Sequence, residues 1–245
     1  MHPQFIRFGC ALCVGCSALQ HRDANLHPIT QLAAFHDDSC TSTAVVKALG
    51  ELLENEDRAT RVSAARRLRD LGAVASSELP KLIRASAKDR EVRDIACELL
   101  MSMSDGGLRH LIKATKSSEK IDRLGALRLL GSTGLTRLVM EKASLPDQQW
   151  ESITNALQDK ESEVRVEAAE ILMEYCDHTK DWDRIVVGAL IDRLREDDDG
   201  RPRKACATTL GNMGKRAAAA APALNDALRK AEGDEDAFAW ALARR

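Results

Sequence analysis

Leucine and alanine recur along this chain at helical spacings, and the same phrase of them returns several times. Two stretches carry it most fully: Arg61–Gly72 reads RVSAARRLRDLG and Arg203–Gly214 reads RKACATTLGNMG. Counted from the arginine, small residues stand at +3 and +4 (Ala64, Ala65; Cys206, Ala207) and leucine at +7 (Leu68; Leu210). An apolar residue follows at +10 (Leu71; Met213), glycine at +11 (Gly72; Gly214) and proline at +19 (Pro80; Pro222). Offsets of three, four, seven and ten lie on one face of a helix with about 3.6 residues per turn. The small pair lets a neighbouring helix come close, and the larger residues fill the seam. The glycine predicts a left-handed helix stop, and the proline a new helix whose first turn needs no amide there.

The phrase recurs behind Arg93 (Ala96, Cys97, Leu100, Met103), Arg123 (Ala126, Leu130, Gly131, Gly134) and Arg165 (Ala168, Ala169, Leu172, Tyr175). The steps between arginines are 32, 30, 42 and 38 residues. Shorter apolar helices are predicted between them at Pro80–Ala87, Leu108–Thr115, Trp150–Gln158, Asp181–Arg195 and Pro222–Ala231. An amphipathic helix at Thr43–Glu54 precedes the array, and an abbreviated one at Asp234–Arg245 ends it. The long step before Arg165 predicts an extra turn or helix near Leu135–Ala143, closed by Pro146. Hairpins this small cannot bury their own apolar faces, so they stack. The expectation is an all-α, right-handed α-solenoid of about five to six helical hairpins over residues 39–245.

The arginine carries a further signal. Asp159 and Asp197 each stand six residues before one, and Leu157-Gln158-Asp159-Lys160-Glu161-Ser162-Glu163-Val164-Arg165 closely resembles the signature of HEAT and HEAT-like (phycobilisome-lyase-type) repeats. The resemblance spans about residues 43–245 and implies that Asp and Arg side chains pair between stacked repeats and cap the turns, as a ladder. Three repeats depart from it: Asn55 takes the aspartate slot in the first, Asp89 comes too late in the second, and Asp122 occupies the valine slot in the third.

Composition narrows the class. Aromatic residues make up 3% and charged residues 30%, a balance that suits Ala/Leu helices and disfavours a β-sandwich. A formal net charge of −2 gives no global basic field for nucleic acid, and no nucleic-acid partner is expected.

Residues 1–19 break with the rest. Arg7 precedes an apolar run, Phe8–Leu19, too short for a membrane-spanning helix of ~20 residues but suited to a signal peptide. Its end, Leu12-Cys13-Val14-Gly15-Cys16, resembles a bacterial lipobox, with Cys16 as the candidate lipidation site and Cys13 as a departure. The same cysteines also read as Cys10-x-x-Cys13-x-x-Cys16, an iron–sulfur-like spacing without a fourth ligand. A bland apolar extension and a misassigned start are the other readings. Residues 20–38 read as a linker. The localisation expected is cell envelope or secreted, with cytoplasmic as the alternative, and any membrane attachment runs through a lipidated N-terminus only.

For chemistry the sequence offers little. It has no His-Glu-x-x-His, no phosphate loop and no G-x-S-x-G, so no catalytic residue, metal site or cofactor is expected. Cys97 and Cys206 occupy small core slots rather than nucleophile positions. The acidic run Glu196–Gly200 lacks the spaced ligands of a calcium loop and reads as a capping turn.

Offsets +2, +5 and +9 point away from the core, into the groove lined by the arginine-led helices. Ile95 and Gly125 stand at +2 in two repeats, and Glu167, Glu170 and Glu174 form a carboxylate row in the fourth. The candidate partner-binding residues are Arg66, Glu98, Arg128, Glu167, Glu170, Glu174, Thr208 and Asn212. A solvated charged face is the plainer reading of them. The expected function is a non-enzymatic scaffold, an envelope lipoprotein where Cys16 is lipidated, holding a protein or peptide partner in its concave groove, a basic one where the carboxylates lie. Resemblance to the lyase branch makes a bilin-lyase-like chromophore-attachment subunit the alternative, and a HEAT-like DNA glycosylase a more distant one. Scarce aromatics count against the first and a groove of mixed charge against the second.

Overall fold

The computed structural model describes residues 39–103, 105–132, 146–175 and 183–230. All belong to the unit Asp37–Arg245, one of two into which the chain divides. Among these residues every element is helical: α1 Ser39–Leu52, α2 Arg58–Leu71, α3 Leu79–Ser86, α4 Arg90–Ser102, α5 Asp105–Ala114 and α6 Lys120–Leu130. The rest are α7 Pro146–Ala156, α8 Ser162–Glu174, α9 Asp183–Glu196, α10 Gly200–Met213 and α11 Ala221–Lys230. The segment expected near Leu135–Ala143, the last helix at Asp234–Arg245, the linker 20–38 and the apolar run with Cys16 lie outside the described residues. Pro146 opens α7, where its missing amide leaves no bond unmade.

Local chemistry sets the helix ends. The Asp57 carboxylate accepts the Thr60 amide at 2.8 Å and starts α2. At the other end Gly72 takes φ 60° and ψ −132°, and Gly214 repeats this after α10 with φ 57° and ψ −129°. This is the mirror image of the extended region, which only glycine enters freely, and not the left-handed helical stop the pattern predicts. The difference has a use. Each glycine leads into a seven-residue 3₁₀ stretch (Gly72–Glu78; Gly214–Ala220) that carries the chain to the next helix, with Pro80 and Pro222 second in α3 and α11.

The helices form two rows. In the first, α1, α3, α5, α7, α9 and α11 each touch the next; in the second, α2, α4, α6, α8 and α10 do the same. Consecutive helices pair across the rows as hairpins, α1 with α2 through α9 with α10. An open stack of this kind, with contacts between neighbouring repeats, is an α-solenoid. The small residues at +3 and +4 sit at the centre: Ala64, Ala65, Cys206 and Ala207 are fully buried, as are Ala168 and Ala169. Leu68, Leu100, Leu130, Leu172 and Leu210 are buried at +7. At +10 the rule holds in the last repeat, where Met213 is 4% exposed, and fails in the first, where Leu71 is 36% exposed.

A chain of ion pairs stitches the repeats along one edge. Arg123 clasps Asp159 through two hydrogen bonds, Nε to Oδ2 at 2.6 Å and Nη2 to Oδ1 at 2.8 Å. Arg165 clasps Asp197 of the following repeat in the same way, at 2.6 and 2.7 Å. Each arginine also closes its own turn: Nη1 of Arg123 donates to the Ser117 and Ser118 carbonyls, and that of Arg165 to Asp159 and Lys160. Each aspartate in turn accepts the amide two residues on, Asp159 from Glu161 at 2.9 Å and Asp197 from Asp199 at 3.1 Å. The acidic run at 196–200 is therefore structural, because Asp197 is a rung and Asp199 caps α10 by accepting the Arg201 amide at 2.9 Å.

Asp89 is a rung too, despite its late position. It accepts from Arg61 at 3.3 Å and Arg58 at 3.2 Å, and takes the Glu91 amide at 3.0 Å as the N-cap of α4. The turn between α3 and α4 is short, so one residue serves as both rung and cap.

Candidate partner-binding groove

The face of the second row carries a groove of about 1150 Å³. Helix α4 lines it with Arg90, Arg93, Asp94, Cys97, Glu98 and Met101; Arg128 comes from α6, with Gly131 and Ser132 just beyond it. Glu167, Glu170, Ile171, Met173 and Glu174 line it from α8, and Asn212 from α10. Helical periodicity produces this wall, since residues three and four apart share a face. Four repeats thus contribute to one surface.

Six of the expected residues come together here: Glu98, Arg128, Glu167, Glu170, Glu174 and Asn212. Arg66 and Thr208 do not line it. Arg66 is exposed on α2 and donates to Glu91 Oε1 at 2.8 Å, while the Thr208 hydroxyl donates to the Lys204 carbonyl of its own helix. The +2 positions also depart from expectation, because Ile95 is 6% exposed and Gly125 is buried. A Cβ on Gly125 would stand 2.0 Å from the Ile83 carbonyl oxygen, so α6 leans directly on the backbone of α3. An offset of +2 lies only about 100° from +3 around the helix, and the crossing of neighbouring helices covers it.

The groove holds three arginines and five carboxylates. Several of these charges are already partnered. Arg128 Nε donates to Glu167 Oε2 at 2.7 Å, and its Nη1 donates to the Ala87 carbonyl. Glu98 accepts from Arg69 at 2.8 Å. Glu170 and Glu174, one turn apart on α8, make no hydrogen bond or ion pair among the described residues. Burial pushes the Glu170 carboxyl above the ordinary glutamate value, and neighbouring Glu167 adds to the shift against the pull of Arg128.

The Cys97 thiol donates to the Ser132 hydroxyl at 2.9 Å, and that hydroxyl donates to the Leu129 carbonyl at 2.7 Å. Burial pushes the Cys97 thiol up, and the Cys206 thiol up to about 12, so both stay protonated and serve as packing groups. Below the groove, the Tyr175 hydroxyl donates to the Gly131 carbonyl at 2.7 Å, and its ring lies 6.4 Å from that of Trp150. Among the described residues no group of three or more His, Cys, Asp or Glu is placed to hold a metal.

Arg93 was not legible as a groove residue. It occupies the ladder offset of its helix, yet among the described residues its one side-chain hydrogen bond runs from Nε to the Ser86 carbonyl at 3.2 Å. The position six before Arg123, where a rung aspartate belongs, is Ser117. Its hydroxyl accepts the Glu119 amide at 3.2 Å, as Asp159 and Asp197 accept theirs, but it offers no carboxylate to Arg93. That serine is the signal that could have found it.

Two rows of stacked hairpins with a side-chain-lined face define the chain as an α-solenoid repeat protein. Residues 151–243 match the family model for HEAT repeats, so this part of the chain is similar to that family. The crystal structure of an engineered protein shares the fold with a TM-score of 0.50 at 22% identity, over 81% of this chain and 95% of that one. A second engineered protein aligns with a TM-score of 0.50 at 20% identity, over 89% and 98%. No curated protein matches the chain.

Proposed function

We propose that this protein is a binding scaffold whose groove holds a basic segment of a partner protein. The observation that carries the reading is the pair Glu170 and Glu174, two carboxylates on one wall of a large groove that make no ion pair among the described residues. Like charges one turn apart weaken a helix. A lysine or arginine from a partner would relieve that repulsion, and it would displace little structure because Glu167 and Glu98 are already held by Arg128 and Arg69. Met101, Met173 and Ile171 add apolar surface on which the stem of a long basic side chain can lie.

The test is a fluorescence-anisotropy titration of the full chain with a lysine-rich dodecapeptide, at ~0.05 M and ~0.5 M salt. Wild type is expected to bind and to weaken with salt, and Glu170→Gln/Glu174→Gln to lose most of the affinity. Equal binding by the double variant would dispose of the reading. An envelope location belongs to the same proposal through Cys16. Cys16→Ser is expected to move the protein from the membrane to the soluble fraction, and an identical distribution of the two would remove that part alone.

A further inference from the structure

Among the described residues, the ladder along the edge of the solenoid is open at Arg93, and it opens beside the groove. Arg61, Arg123 and Arg165 each reach a carboxylate of the next repeat, Asp89, Asp159 and Asp197. Arg93 stands at the same offset, and the next repeat carries Ser117 in place of the rung aspartate. It also lacks the clamp on its own turn. Arg61, Arg123 and Arg165 each hold two turn carbonyls through Nη1, whereas the short turn before α4 leaves Arg93 with the Ser86 carbonyl on Nε alone.

The freed guanidinium is half-buried and lines the groove across from α8. Its neighbours compensate in part and without a hydrogen bond: Glu167, which Arg128 already holds, and exposed Asp94 attract it through space, while Arg128 is a like charge and Cys97 a protonated thiol. Burial, and then the Arg128 guanidinium, pull Arg93 below the ordinary arginine value, as expected of a cation short of a partner. A guanidinium with its outer fork unbonded in a partly dry site favours a planar anion held by two parallel hydrogen bonds.

We infer that Arg93 is the anion-recognising contact of the groove, taking a carboxylate of the bound segment while Glu170 and Glu174 take its basic side chain. The inference rests on the groove reading above and fixes the chemistry of the ligand. The segment is dipolar, with an acidic residue offset from a basic one. A purely basic segment would leave Arg93 unpaired and repelled.

Three synthetic dodecapeptides of Gly, Ser and Ala test it by anisotropy on the full chain. One carries two lysines only; the other two add a glutamate pair on the N-terminal or C-terminal side. The groove carries more carboxylates than arginines, so added acid should weaken binding unless a cation waits for it. Here one of the dipolar probes is expected to bind about tenfold tighter than the lysine probe, the range of a hydrogen-bonded charge. Arg93→Gln is expected to erase that gain and leave the lysine probe at its wild-type affinity or tighter. Arg93→Lys, which keeps the charge but not the fork, retains part of the gain, and Arg109→Gln, at an exposed position of α5 outside the groove, retains all of it. Should Arg93→Gln fail to fold, the Lys variant and a probe with glutamine in place of glutamate carry the comparison. The inference is overturned if neither dipolar probe exceeds the lysine probe, or if the gain survives in Arg93→Gln or is lost equally in Arg109→Gln. Failure of wild type to bind the lysine probe would instead overturn the groove reading and this inference together.

Discussion

Replacing Asp197 by alanine removes one complete rung, and its cost can be worked from the geometry. The Asp197 side chain is fully buried and that of Arg165 is 12% exposed, so water cannot readily replace what is lost. Two charge-assisted hydrogen bonds at 2.6 and 2.7 Å disappear, and the Asp199 amide loses its acceptor at 3.1 Å. Hydrogen bonds to charged groups contribute about 1.5–3 kcal/mol each. The guanidinium keeps its bonds to the Asp159 and Lys160 carbonyls, which holds the expected loss to about 3–5 kcal/mol, the range for a buried pair broken on one side. Arg58→Ala supplies the contrast. Arg58 is 65% exposed where it meets Asp89, and its removal should cost less than about 1 kcal/mol.

Urea unfolding followed by circular dichroism reads both variants. Because repeats couple mainly to their neighbours, a loss between α8 and α10 should also loosen α9–α11 first, visible as faster amide exchange there than in α2–α4. The double replacement Arg165→Met/Asp197→Leu should recover much of the loss, since apolar side chains leave no orphaned charge. A midpoint for Asp197→Ala no lower than that of Arg58→Ala would refute the ladder as a source of stability, whatever its geometry.

Other positions give expectations of differing sign. Gly125→Ala places a Cβ against the Ile83 carbonyl oxygen, so the ~1 kcal/mol gain in helix propensity should be outweighed by a net loss of about 1–3 kcal/mol; a raised melting temperature would contradict the close approach of α6 to α3. The Arg84 guanidinium holds Asp122 below the ordinary aspartate value, so its contribution to stability is complete above the unfolded value of about 3.9 and is lost as pH falls through the folded one. Asp122→Asn should therefore be less stable than wild type at neutral pH, with the gap closing in acid; a gap independent of pH would exclude this assignment. Glu170 has the opposite sign, its folded value being raised by burial, so ionisation costs stability and Glu170→Gln should melt higher at neutral pH. That advantage should shrink as pH falls toward the unfolded value of about 4.3, and its persistence in acid would point to a packing cause instead.

What could be read from the chain alone divides along a physical line. Positions +3, +4 and +7 were legible because helical periodicity is local: Ala64, Ala65 and Leu68 face the core on their spacing alone, and so do Cys206, Ala207 and Leu210. The carboxylate row of α8 was legible for the same reason, as i, i+3 and i+7 on a face the core does not use. Gly125 was not, because its burial depends on how α6 crosses α3, an angle that no single helix encodes. Asp89 shows how a rule of spacing fails where the physics holds. Counted from Arg93 it is misplaced by two, yet the turn there is shorter, and the amide two residues on still finds its carboxylate as it does at Asp159 and Asp197. Arg93 is the harder case. Its offset matches that of Arg123, and both look structural until the next repeat is read with them. Arg123 is held because Asp159 follows in the next turn, and Arg93 is released because Ser117 does. In a solenoid, then, the role of a ladder arginine belongs to the pair of repeats it joins. A serine in a turn on one repeat can turn an arginine on the one before it from a strut into a contact for a partner.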